Sequence, residues 1–173
     1  MLLAVSVLSC HTGEETSPSE VSTSTEEPGF GIYLVDSGEL VLSEQHIKAY
    51  YRNVHLTEAK EDTHAVELNQ AGIEKWNSYM TYETIPKLKD TLFGRDFILK
   101  IAGKEIYRGK FYSWASSASY DGVVILDALL KLNEENNEIL ILYGYPWPLS
   151  DSEKDPRNSP EVINFLDKQG LLK

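Results

Sequence analysis

The sequence contains a single cysteine in 173 residues, which excludes an internal disulfide framework. No apolar run approaches the roughly 20 residues that a membrane-spanning helix needs. There is no G-x-S-x-G elbow and no glycine-rich phosphate loop, so two common routes to acyl and phosphoryl chemistry are closed. Residues 1–29 carry five acids and no Lys or Arg, and the remainder has 22 acids against 16 bases. A net charge of −11 without a concentrated basic stretch argues against nucleic acid as a partner, because phosphate binding requires clustered positive charge.

What is present is enough for a core. Apolar residues make up 42% of the chain and there are 10 tyrosines. The organising stretch runs from Thr63 to Phe111. It opens with an alternating strand pattern, THAVEL, which sets His64, Val66 and Leu68 on one face. NQAGIEKWNSYM follows, with Ile73, Trp76 and Met80 at i, i+3 and i+7, the stripe of an amphipathic helix. A second helical pattern is expected after Pro86, with Leu88, Leu92 and Phe93 on one face and Gly94 as its stop. FILKIAGKEIYRGKF closes the stretch as a hairpin turning at Ala102-Gly103-Lys104.

Upstream lies MLLAVSVLSC, an apolar run that ends in a small residue and Cys10. The tract 11–29 is rich in Ser, Thr, Glu and Pro and has one apolar side chain, Val21. Such a composition buries too little surface to offset chain entropy and is expected to form a disordered tether. The remaining elements are short. A strand is expected through Ile32 and Leu34, then a turn at Asp36-Ser37-Gly38 and a second strand over GELVLS. Ser43 is expected to cap a helix carrying Ile47, Ala49, Tyr50 and Tyr51. GVVILDAL reads as a central strand, ILILYGY as another, and Ser159-Pro160-Glu161 as the start of a last helix, with Gly170 at its C-terminal cap.

Two resemblances follow from these residues. Val7-Leu8-Ser9-Cys10 resembles the lipobox of prokaryotic lipoproteins, which implies cleavage before Cys10 and a diacylglyceryl group on its thiol. The segments spanning Ile47–Met80 and Phe97–Leu126 resemble the first extracytoplasmic domain of SecD, an accessory subunit of the Sec protein-export machine. The likeness rests on Leu68, Gly72, Trp76, Ile98, Ile101, Gly103, Ile106 and Gly122. It implies a ferredoxin-like α+β fold, mostly antiparallel with two to four helices, and a share in handling extended polypeptide. The expected organisation is a truncated lipoprotein-type signal segment at 1–10, a tether at 11–29 and one α+β domain at 30–173.

Candidate chemistry is sparse. His46, His55 and His64 are spaced by nine residues, unlike the close ligand pairs of metal sites, and no metal or other cofactor is expected. Asp36, Asp121, Asp127, Asp151 and Asp155 are carboxylates that a fold could bring together, but most lie in turn contexts that favour Asp for local reasons. Ser113, Ser116, Ser117 and Ser119 form a serine-rich loop, but not a G-x-S-x-G elbow. The one surface nominated for contact is YGYPWPLS, where Tyr145 and Trp147 sit between prolines, rich in contact area and low in conformational entropy. The preferred expectation for Trp147, however, is that it folds back over the sheet edge as a lid on the core. The expectation is therefore a non-enzymatic protein- or peptide-binding domain, or an accessory envelope or export factor, anchored on the extracytoplasmic side of the cell membrane by a lipid on Cys10. The alternatives are a small exported hydrolase with a carboxylate site assembled only by folding, and a soluble cytoplasmic domain.

Overall fold

The computed structural model describes residues 28–54, 63–149 and 154–173; the lipobox, Cys10, His55 and Asp151 lie outside them. It is an α+β fold built on one curled sheet of eight strands: β1 (Phe30–Leu34), β2 (Leu40–Ser43), β3 (Ile47–Val54), β4 (Thr63–Leu68), β5 (Asp96–Ile101), β6 (Lys104–Phe111), β7 (Tyr120–Ile125) and β8 (Glu138–Tyr145). Two helices join it, α1 (Gln70–Asn77) and α2 (Pro160–Lys168). The order across the sheet is β2-β1-β5-β6-β7-β8-β4-β3, and among these described strands only the β6–β7 pair is parallel.

β2 and β3 lie at opposite ends of that order, yet three residues, Glu44–His46, separate them. Following the pairings round, both run opposite to β1. The segment from Leu40 to Val54 is thus one bent strand whose first part pairs with β1 and whose second part pairs with β4. This joins the two edges and forces the sheet to curl around its apolar face. Side chains from both halves meet inside, among them Leu42 of β2, Phe97 and Leu99 of β5, and Val66 and Leu68 of β4, all fully buried.

The capping signal at Ser43 is real, since its N–H donates to His46 Nδ1 at 2.9 Å. It caps only a 3-10 turn, however, and the expected helix through Ile47–Tyr51 is a strand instead. Ile47 and Tyr50 pair with Leu68 and Val66 of β4, and a sheet edge suits β-branched and aromatic residues better than an exposed helix does. The helix expected after Pro86 also fails: the chain makes one 3-10 turn at Leu88–Asp90. Leu88 is 59% exposed while Leu92 is fully buried, so they share no face, and the span between Pro86 and Gly94 is too short to repay helix nucleation.

α1 forms where the stripe predicts. Asn69 caps it through Oδ1 to the Gly72 N–H at 3.0 Å, and Ile73, Trp76 and, beyond its end, Met80 are buried. A Cβ on Gly72 would stand 2.3 Å from the His46 carbonyl oxygen, so only glycine lets α1 press against the 44–46 turn. The hairpin between β5 and β6 turns on Ala102 and Gly103, both at positive φ, as a tight two-residue connection demands. α2 ends as expected: Gly170 (φ 70°) donates to the Asp167 carbonyl and Leu171 to that of Leu166, the pair of bonds of a Schellman cap. The chain then adds a short parallel bridge to the outer edge of β3, Tyr50 N–H to Leu171 O at 2.7 Å and Lys173 N–H to Tyr50 O at 2.8 Å.

Candidate functional site

Two polar arrangements look catalytic in outline. Ser43 Oγ lies 2.9 Å from His46 Nδ1, but Ser43 is only 2% exposed and the same nitrogen already accepts its N–H. No substrate reaches that hydroxyl; the pair is a cap. The second is inside the curled sheet. His64 is fully buried and its Nδ1 lies 2.8 Å from the Tyr50 hydroxyl. From the segment leading into α2, Arg157 enters the same interior at 2% exposure. Its guanidinium donates to both oxygens of Asp155 and, through NH1, to the carbonyl of Ile141, the register partner of His64. Tyr107 of β6 completes the cluster. Burial first, and Tyr50 beside it, push its phenol well above the ordinary range, with Arg157 pulling the other way. Apart from the Tyr107 hydroxyl, which has no hydrogen-bond partner among the described residues, this is a paired polar plug in the interior, where a charge survives only with a partner.

The candidate carboxylates are scattered. Asp36 pairs with Arg95 at 2.7 Å, a bond that holds its carboxyl below the usual range. Asp155 is committed to Arg157, and Asp121 is exposed. Asp127, half-buried at φ 63°, lines a cleft of about 560 Å³ with Glu135 and Glu138, and burial raises its carboxyl. No His, Ser or Cys lines that cleft. Among the described residues no three His, Cys, Asp or Glu side chains converge as metal ligands.

The outer face of β7 and β8 is different in kind. Tyr112, Val124, Leu126, Leu142 and Tyr145 form a second apolar cluster there, outside the curl. The serine loop, 113–119, crosses over it and is held by two tyrosines. Tyr145 donates to the carbonyls of Trp114 (3.2 Å) and Ser116 (3.1 Å), and Tyr112 donates to that of Ala118 (3.0 Å). Tyr145 is therefore buried, at 5% exposure, and acts beneath the surface. Trp147, on the turn that follows, is 82% exposed and is not a lid. Trp114, at 52%, stands over Tyr145 with ring centroids 6.1 Å apart. Trp76, by contrast, is fully buried, and its indole N–H donates to the Leu130 carbonyl at 3.0 Å.

Beside the loop runs a groove of about 230 Å³ lined by Leu88, Phe93, Ala115–Ala118 and Leu129. Sequence patterns missed it because its walls come from three separate segments. The one local hint was Leu88, an apolar residue between two lysines. No described helix is long and apolar enough to cross a membrane. Compared with known proteins, this chain matches no family model, no curated protein and no solved structure.

Proposed function

We propose that the protein is a non-enzymatic binding domain of the cell envelope, held on the extracytoplasmic side of the membrane by a lipid on Cys10, that recognises a protein or an extended polypeptide. The observation that carries this is the aromatic face over β7 and β8: Trp147 at 82% exposure and Trp114 at 52%, on segments tied down by buried tyrosines. Large aromatic surface left in water on a pre-ordered support is the usual composition of a binding hot spot. The SecD-like part, with its ferredoxin-like arrangement and export role, rests on the strand–helix–hairpin order of residues 63–111 and not on the order of strands in the sheet. Two measurements test the whole. Native protein should partition into detergent and Cys10→Ala should not. Trp147→Ala should lose cross-linking to its envelope neighbour without losing stability. Equal partitioning of both forms counts against the anchor, and unchanged cross-linking counts against the surface.

A second reading, a small exported hydrolase, is favoured by the burial-raised carboxyl of Asp127 in a cleft shared with Glu135 and Glu138. A raised carboxyl beside a second carboxylate is the arrangement of general acid catalysis in glycoside hydrolysis. Turnover of a chromogenic glycoside panel that Asp127→Asn abolishes would replace the binding function with this one.

A further inference from the structure

We propose that the aromatic face over β7 and β8 seats a proline-rich segment of its partner in the polyproline II conformation. This rests on the binding function above and names its ligand class. Placement comes first, and Tyr145 is its hub. Trp114 stands over the Tyr145 ring, with centroids 6.1 Å apart. Half-buried Tyr120 is the register partner of Tyr145 across β7 and β8, so the two side chains share a face. Trp147 follows Tyr145 by two residues along the chain. Because Tyr145 is itself buried, what meets the solvent is Trp114, Trp147 and the outer part of Tyr120.

The supports are fixed in advance. Trp147 lies between Pro146 and Pro148, whose rings lock φ, and Leu149 closes the turn by donating its N–H to the Tyr143 carbonyl at 2.8 Å. The loop that carries Trp114 is held by bonds from Tyr145 and Tyr112 to three of its carbonyls. Rings already held in place lose little entropy when a ligand arrives.

Hydrogen-bonding capacity and charge select the ligand. In the serine loop the carbonyls of Ser113, Trp114, Ser116 and Ala118 are engaged, and the Ser113 and Ser116 hydroxyls accept the N–H groups of Ala115 and Ala118. The indole N–H groups of Trp114 and Trp147, by contrast, have no partner among the described residues. The face keeps its donors while many of its acceptors are occupied, which suits a chain that presents carbonyls and few N–H groups. Proline lacks an N–H, and its ring packs on aromatic faces. A polyproline II helix is ordered before it binds and leaves its carbonyls open, since it makes no internal hydrogen bonds. Residues 111–120 and 139–150 contain no Asp, Glu, Lys, Arg or His. At the margin Asp121 is exposed, and Lys110, 5.8 Å from the Tyr120 ring, is paired with Asp96 at 2.7 Å. An acidic or basic segment therefore finds no counter-charge in these two loops.

The test is fluorescence polarisation of the full chain with two labelled peptides of equal length, an oligoproline and an alternating leucine–serine peptide. The oligoproline should bind equally at low and high salt. The leucine–serine peptide, also uncharged but with an N–H at every residue, should bind at least about tenfold more weakly. Trp147→Phe keeps a ring and deletes the indole N–H, and should weaken oligoproline binding about tenfold. Trp147→Ala should abolish it, with the melting temperature unchanged because the side chain is exposed. Binding that survives Trp147→Ala combined with Trp114→Ala overturns the face as the seat. Equal or tighter binding of the leucine–serine peptide, or full binding by Trp147→Phe, overturns the proline-rich class. If the oligoproline does not bind while Trp147→Ala still loses cross-linking to the envelope neighbour, this ligand class is excluded and the binding function stands; if cross-linking is unchanged as well, both are wrong.

Discussion

Removing one oxygen atom from the interior should make this protein more stable. Tyr107 is 6% exposed, and its hydroxyl is fully buried with no hydrogen-bond partner among the described residues, although Tyr50, Arg157 and Asp155 lie close enough to bear on its ionisation. A buried hydroxyl that forgoes its bonds to water costs roughly 1–3 kcal/mol. Tyr107→Phe keeps the ring contact with Phe97, at 6.3 Å between centroids, and deletes only that cost. The expected gain is about 1–2 kcal/mol, or roughly 2–8 °C in Tm for a chain of this length. Urea unfolding followed by tryptophan fluorescence reads it as a higher midpoint at constant slope. Tyr50→Phe is the companion measurement. It breaks the 2.8 Å bond to His64 and should lower stability by about 1–3 kcal/mol. If Tyr107→Phe lowers the midpoint as Tyr50→Phe does, the hydroxyl is satisfied in solution and the reasoning is refuted.

Three further outcomes follow from the same structure. Trp76→Ala should cost roughly 3–5 kcal/mol, since the ring is fully buried, whereas Trp147→Ala at 82% exposure should change the urea midpoint by under about 0.5 kcal/mol; equal losses would make the turn part of the core. Gly109→Ala should destabilise by about 1–3 kcal/mol, because its Cβ would meet the Val123 carbonyl oxygen at 2.3 Å and the Phe97 ring at 2.4 Å; a neutral result would mean β6 and β7 can part at no cost. Asp127→Asn should raise stability at neutral pH, because burial lifts this carboxyl and its charged form is the disfavoured one. The folded value lies above the unfolded one, so the stability it contributes is present below about pH 4 and lost as pH rises through the folded value. The variant's advantage should therefore vanish in acid, and a constant advantage would point to the backbone at φ 63° instead.

Much of the fold was legible where the information is local. The stripe of Ile73 and Trp76, the Ala102-Gly103 turn and the Pro160 to Gly170 helix are each specified within a dozen residues. The sequence around Ile47–Tyr51 points to a helix because its local start signal, Ser43, is genuine; what decides for a strand is β4, which offers the sheet edge that a helix would have left unpaired. The parallel pairing of β6 and β7 is invisible beforehand, since it depends on loop 113–119 recrossing a face that Val124 and Leu142 make apolar. The same holds for the surface. Nothing in YGYPWPLS says which aromatic turns inward, because the carbonyls that capture Tyr145 belong to Trp114 and Ser116, some 30 residues earlier.

The bent strand from Leu40 to Val54 also limits how a partner can bind. One stretch of chain supplies both ends of the strand order, and among the described residues each end is short or partly taken. β2 has four residues, and the outward N–H and C=O of Tyr50 are already taken by Leu171 and Lys173. Those two positions therefore give a visiting peptide little room to add a strand of its own, the mode that depends on backbone and tolerates almost any sequence. What these edges leave for recognition is side-chain composition rather than backbone.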